Sequence, residues 1–215
     1  MASQRRPILQ RMNELKSVCV YCGSRTGNDP AYLQAAQDLG TRIGAAGLRL
    51  VYGGASIGLM GAVADAVLAA GGTVLGVIPQ ALAQREVAHA GLTELRITDC
   101  MHTRKTAMAD AASAFIALPG GIGTFEELFE IWTWAQLGIH HKPVGVLNVA
   151  GYYDPLLEFV DRATQAQFLT PAQRDLLLVD TDAQRLLERL GQRAAQIAAA
   201  GNPLAAPVSG PLLRP

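Results

Sequence analysis

Two pairs of adjacent charged residues carry the first hint of chemistry. Arg104 and Lys105 follow Met101-His102-Thr103 at the start of one helical pattern, and Glu126 and Glu127 follow Gly120-Gly121-Ile122-Gly123-Thr124-Phe125 at the start of another. A guanidinium offers a planar fork for a phosphate, hydroxyl or carboxylate, and the neighbouring ammonium adds a mobile positive charge. With only 18 basic residues in 215, such a pair at the mouth of a crevice is informative, and a solvated helix start is the plain alternative. Carboxylates in a first helical turn are favourable in any protein, because they face the positive end of the helix dipole. A carboxylate a few residues past a phosphate-binding turn also lies near the sugar of a bound nucleotide. There it can orient water and stabilise the positive charge that develops on ribose as an N-glycosidic bond breaks.

The phosphate-binding turn is read from Ala117-Leu118-Pro119-Gly120-Gly121-Ile122-Gly123-Thr124. A strand runs into three glycines and straight on into an amphipathic helix, so several backbone N–H groups can converge on one anion at a helix N-terminus. Thr124 can cap that helix and donate its hydroxyl to a phosphate oxygen. A tight turn alone is the competing explanation, yet a turn rarely needs this many glycines. A second loop, Tyr52-Gly53-Gly54-Ala55-Ser56-Ile57-Gly58-Leu59-Met60-Gly61, has the same strand-to-helix context. Gly53 and Gly54 let the backbone approach a ligand, Gly58 and Gly61 permit close packing on the sheet, and Met60 reads as core. A third loop, Cys22-Gly23-Ser24-Arg25, offers Ser24 and Arg25 to ribose or phosphate.

Absences narrow the reaction class. The glycine loop lacks the lysine of G-x-x-x-x-G-K-[ST], and G-x-G-x-x-G is missing, which argues against a P-loop NTPase and against a dinucleotide in its usual place. No Asp/Glu set near the loops suggests a magnesium cage for phosphoryl transfer. H-E-x-x-H does not occur, and Gly54-Ala55-Ser56-Ile57-Gly58, though it fits G-x-S-x-G, is not read as the nucleophile elbow of a serine hydrolase. His140 and His141 sit at a helix end, where adjacent residues diverge, so they read as capping or packing groups rather than metal ligands. Cys19 and Cys22 form a C-x-x-C, but Cys19 lies inside the strand-like run Ser17 to Tyr21 rather than opening a helix. No metal and no cofactor are expected.

These groups need a scaffold that gathers three loops at one place. Val/Ile/Leu-rich runs at Ser17 to Tyr21, Leu48 to Tyr52, Thr73 to Ile78, Glu94 to Ile97, Ala114 to Leu118, Pro143 to Leu147 and Leu177 to Val179 read as strands. Helical patterns separate them, from about Ala31 to Ala46, Gly58 to Ala70, His102 to Ala112, Thr124 to Leu137, Pro155 to Gln165 and Ala183 to Ala199. Leu33, Ala36, Leu39 and Ile43 make one apolar face of the first, and Gly44 and Gly47 weaken and end it. The expected fold is α/β, three-layer and Rossmann-like, doubly wound on a mostly parallel sheet with helices on both faces. In such sheets ligands lie beyond the carboxyl ends of the strands, so all three glycine loops can face one ligand.

Half of the residues are apolar, 17% are charged and the formal net charge is zero, so a nucleic-acid polymer is a poor partner for the average surface. The basic N-terminus has no apolar core of a secretory signal, and no apolar run reaches membrane-spanning length, which leaves a cytoplasmic expectation. The chain reads as a flexible N-terminal segment over 1–15, one hydrolase domain over 16–200, and a proline-rich tail over 201–215 that reads as disordered.

Pro119-Gly120-Gly121-x-Gly123-Thr124-x-x-Glu127 together with Met101-His102-x-Arg104-Lys105 resembles the LOG (Lonely Guy) family of cytokinin riboside 5'-monophosphate phosphoribohydrolases, a family often mislabelled lysine decarboxylase. The likeness runs from about Ser17 to Asp180. It implies hydrolysis of N6-modified AMP, and of AMP, to free base and ribose 5-phosphate. It also implies that Arg104 and Glu127 form the catalytic pair, and that Glu86, Lys105, Thr133 and the stretch Gly121, Ile122, Gly123, Thr124, Phe125, Glu126 and Glu127 contact substrate. Members are commonly homodimers whose sites use both subunits, and the helix carrying Trp132 and Trp134 is a candidate interface element. Ala55 stands where many members have a third glycine, a change that bears on pocket shape. The alternatives are a glycosidase of broad purine and pyrimidine nucleotide preference, and a non-catalytic carrier of a nucleotide or of molybdenum cofactor.

Overall fold

The computed structural model describes residues 15–83 and 88–200. The leading segment up to residue 14, the proline-rich tail from Gly201 and the substrate-contact candidate Glu86 lie outside the described residues. Leu15, expected to end the leading segment, instead packs into the core at 4% exposure.

The strands are β1 (Ser17–Tyr21), β2 (Arg49–Tyr52), β3 (Thr73–Pro79), β4 (Glu94–Thr98), β5 (Ala114–Ala117), β6 (Val144–Leu147) and β7 (Leu177–Asp180). They form one sheet in the order β4-β3-β2-β1-β5-β6-β7, and every pairing is parallel. The helices are α1 (Pro30–Ala45), α2 (Gly58–Ala69), α3 (Gln80–Ala83), α4 (Met101–Ala111), α5 (Ile122–Gln136), α6 (Asp154–Gln165), α7 (Pro171–Arg174) and α8 (Ala183–Ala199). The expected doubly wound architecture is therefore the observed one. The brief turns α3, α7 and the 3₁₀ segment Val149–Gly151 were not expected, being too short to show a helical period.

Every strand but β4 is buried along most of its length because both of its sides meet a helical layer, whereas the edge strand β4 is exposed at its three central residues. Val18 and Val20 face a core shared with Ala36, Leu39 and Ile43 of α1, Val63 and Val67 of α2, and Leu186 and Leu190 of α8. Cys19 and Tyr21, one residue out of phase, face Met108 of α4, Leu128 and Ile131 of α5, and Val160 of α6. Gly44 does not end α1. A Cβ there would lie 2.7 Å from that of Ala70 and 2.8 Å from Val67 O, so this glycine admits α2 at close range, and Gly47, at φ +68°, follows the end of the helix.

The chain steps outward from β1 through β2 and β3 to β4, then returns to lay β5 on the other side of β1. The winding direction reverses between β1 and β5, and the loops leaving these two strands part there. That leaves a crevice at their carboxyl ends.

Candidate active site

α4 starts at an N-cap, Cys100, whose backbone N–H donates to Thr103 Oγ1 at 3.2 Å, and this start carries Arg104 inward under the sheet edge. Arg104 Nε donates to Val77 O at 3.0 Å, and Nη1 donates to Glu127 Oε1 at 2.7 Å. The two side chains are only 9% and 11% exposed. A Cβ on Gly53 would collide with Arg104 Nη2, which gives the physical reason for a glycine there. Burial pushes the Glu127 carboxyl above its ordinary value, and the charge and hydrogen bond of Arg104 offset only part of that rise. The pair is thus a carboxylate with one anchored oxygen, kept largely from water and poised to accept a proton more readily than a surface glutamate.

Above this pair lies a cavity of about 280 Å³. Its polar wall is Gly23, Ser24, Gly121, Ile122, Gly123, Thr124, Arg104, Glu126 and Glu127, and its apolar wall is Cys22, Met60, Leu82 and Met101. The first bond of α5 runs from Phe125 N–H to Gly121 O at 3.1 Å, so the N–H groups of Gly121, Ile122, Gly123 and Thr124 have no partner among the described residues. Four donors with no partner among the described residues, at the positive end of a fifteen-residue helix, can seat an anion. A second chamber of about 380 Å³ adjoins the first across Gly23, Ser24 and Gly121, and Arg25, Tyr32 and Tyr152 line it.

The sequence candidates divide between these places. Arg104, Glu126, Glu127, Ser24, Gly121, Ile122, Gly123 and Thr124 meet in the cavity, whereas Arg25 lines the second chamber. Gly53 and Gly54 line neither; Gly53 makes room for Arg104, and Gly54, at φ +81°, lies against Ile78 and Val77. Phe125 also faces away, its ring near those of Tyr152 and Tyr153. Lys105 sits outside the cavity and donates to Glu126 Oε1 at 2.5 Å and Glu130 Oε1 at 2.9 Å. Thr133 is exposed on the same helix, about two turns beyond Glu126. Gly58 and Gly61 admit loop backbone, that of Ser24 and of Ser56, rather than packing on the sheet.

Sequence reasoning missed the apolar wall. Met60, which reads as core in the sequence, is 8% exposed and belongs to both core and cavity. Leu82 carries no motif, and Met101, though it opens the Met101-His102-x-Arg104-Lys105 motif, is given no role by it, so only their positions at the carboxyl ends of β3 and β4 point to the cavity. The described residues hold no group of three or more His, Cys, Asp or Glu side chains able to hold a metal ion.

A family model described as "Possible lysine decarboxylase" matches residues 60–190. The cytokinin riboside 5'-monophosphate phosphoribohydrolase LOG1 of Arabidopsis thaliana is 48% identical over 178 residues, covering 83% of this chain and 84% of that protein. The enzyme of the same description, LOG, from Oryza sativa subsp. japonica is 49% identical over 181 residues, covering 84% and 75%. Among solved structures, the molybdenum cofactor carrier protein of Chlamydomonas reinhardtii superimposes with a TM-score of 0.63 at 23% identity, over 83% of this chain and 97% of that one, a likeness of fold. By its sequence relatives, the chain belongs to the LOG family of phosphoribohydrolases.

Proposed function

We propose that this chain hydrolyses the N-glycosidic bond of cytokinin riboside 5'-monophosphates, meaning N6-modified AMP, and of AMP itself, releasing the free base and ribose 5-phosphate. The observation that supports this most is the buried Arg104–Glu127 pair, set beside four N–H groups at the start of α5 that have no partner among the described residues. A carrier needs the anion seat and has no use for a desolvated carboxylate beside it.

The 5'-phosphate rests on the N–H groups of Gly121 to Thr124, with the Thr124 hydroxyl within the same turn. Arg104 holds Glu127 in register and presents its remaining N–H groups to ribose. The C1'–N bond breaks with its electron pair passing to the base nitrogen, which takes a proton from solvent. Glu127 stabilises the oxocarbenium-like sugar, a water oxygen then bonds to C1', and the proton it sheds passes to the Glu127 carboxylate and on to solvent.

Lys105 and Thr133 fit this reading through a second copy of the chain. They lie outside the cavity on a part of the surface that also shows Phe129 and Leu137, so a homodimer through α5 would carry them toward a neighbour's ligand. Mass measurement in solution tests that assembly. The ligand is a small nucleotide rather than a nucleic-acid polymer, in keeping with zero net charge, and the setting is the cytoplasm, which fractionation of cells tests. A second reading, a glycosidase of broad base preference, draws support from the apolar wall of Met60, Leu82 and Met101, which grips a flat base without naming it.

Base release from isopentenyladenosine 5'-monophosphate and from AMP, measured side by side, separates the two. A clear preference for the isopentenyl substrate is expected. Equal rates would favour the broad glycosidase, and no base release from either would sink both.

A further inference from the structure

Four consecutive carbonyls of the phosphate loop are each taken by a different donor. Leu118 O accepts from the Tyr153 hydroxyl at 2.7 Å, Pro119 O from Gly23 N–H at 3.0 Å, Gly120 O from the Tyr152 hydroxyl, and Gly121 O from Phe125 N–H at 3.1 Å. In a trans peptide plane the C=O and the following N–H point in opposite directions. Turning a carbonyl toward the protein therefore turns the next N–H the other way. The Gly120–Gly121 peptide is the one whose orientation is least settled by its own residues, because glycine on both sides leaves its plane free to rotate. Flipped, it would present an oxygen to a bound phosphate instead of a donor.

We propose that Tyr152 is a positioning residue for phosphate: its hydroxyl fixes the Gly120 carbonyl on the side of the second chamber and so aims the Gly121 N–H into the cavity with Arg104 and Glu127. The chain is built to bring it there. Ala150 at φ +51° and Gly151 at φ +72° form a left-handed step just ahead of Tyr152, and Asn148 Oδ1 accepts from Tyr153 N–H at 2.8 Å to hold the far side of that step. The Tyr152 ring is wedged edge-on between Tyr32 and Tyr153, with centroids 5.6 and 5.0 Å away, and lies near Phe125 at 6.5 Å. Phe125 then serves the loop as a buttress of Tyr152. Tyr153 makes a similar bond with a different consequence. Leu118 O is followed by Pro119, which has no N–H to aim, so the Tyr153 bond satisfies a buried carbonyl and orients no donor.

This inference rests on reading the loop as a phosphate seat, so its test does not depend on turnover. Calorimetry with inorganic phosphate compares the wild-type chain, Tyr152→Phe and Tyr153→Phe, with thermal midpoints taken on the same samples. Tyr152→Phe is expected to weaken phosphate binding about tenfold, and to raise KM for AMP by a similar factor with kcat changed far less. Tyr153→Phe is expected to lower the midpoint by roughly 3 °C with phosphate affinity near wild type. Wild-type affinity in Tyr152→Phe, or equal weakening in both variants, would overturn the proposal. A wild-type chain with no affinity for phosphate would overturn it together with the seat, whereas normal phosphate binding without base release would remove the hydrolase reading and leave the clamp standing.

Discussion

Glu127 and Asp180 are both buried carboxylates that face arginine, and their acidities move in opposite directions. Glu127 has a single anchored oxygen, bonded to Arg104, and burial wins, raising its pKa. Asp180, with a side chain 4% exposed at the end of β7, lies nearer the protein surface, and hydrogen bonds overcome the desolvation it does feel. It accepts from Arg185 Nε at 2.9 Å and Nη2 at 2.5 Å, from Arg189 Nη1 at 3.0 Å and from Asp182 N–H at 3.0 Å, and its carboxyl is held well below the usual range. A carboxylate that serves folding has its lone pairs filled by the protein. One that serves chemistry keeps capacity for a substrate and tolerates the cost.

Exchanging the charge of each tests this contrast. Glu127→Gln should lower kcat for base release by roughly a thousandfold while leaving nucleotide binding measurable and the thermal midpoint no lower; near-normal turnover would remove Glu127 from the chemistry. Asp180→Asn should do the reverse, costing about 2 kcal/mol in denaturant unfolding with base release at 25 °C unaffected. Gly53→Ala pushes a methyl against Arg104 Nη2, so turnover should fall about tenfold through displacement of the pair, with stability changing less. A smaller effect appears on acidification. Because the Glu127 pKa is raised, its ionised form is lost, and kcat/KM with it, at a higher pH than an ordinary glutamate would require. Because the Asp180 pKa is depressed, its stabilisation is complete above the usual carboxylate range and fades only as pH falls through that range toward its lowered value. Activity should therefore drop before the thermal midpoint does, and coincident losses would dissolve the distinction.

Much of this arrangement is legible in the sequence where a local rule applies. The Val/Ile/Leu-rich runs give every strand, and three glycines between a strand and a helix mark the loop that lines the cavity, because both signals are contained in a few neighbouring residues. The cavity's apolar wall and the Tyr152 grip are not legible, since Leu82, Met101 and Gly120 meet their partners only after distant segments pack. The same limit explains Gly53. Its position beside a strand end suggests a ligand, and the group that comes close proves to be Arg104, fifty-one positions along. Lys105 shows the converse. Its adjacency to Arg104 suggests a shared pocket, but successive residues on a helix point about 100° apart, and Lys105 turns outward to Glu126 and Glu130.

The sheet order also governs when the site can exist. Val18 pairs with Ala114, while each of the neighbouring ladders from β1 to β4 joins segments much closer in sequence. Closing that long loop carries a larger entropic cost than pairing strands joined by one helix. Gly23 and Ser24 face Gly121 and Glu127 only after β5 has docked against β1. During refolding, helical signal should return before nucleotide binding, and recovery of binding should report the arrival of the second half of the chain.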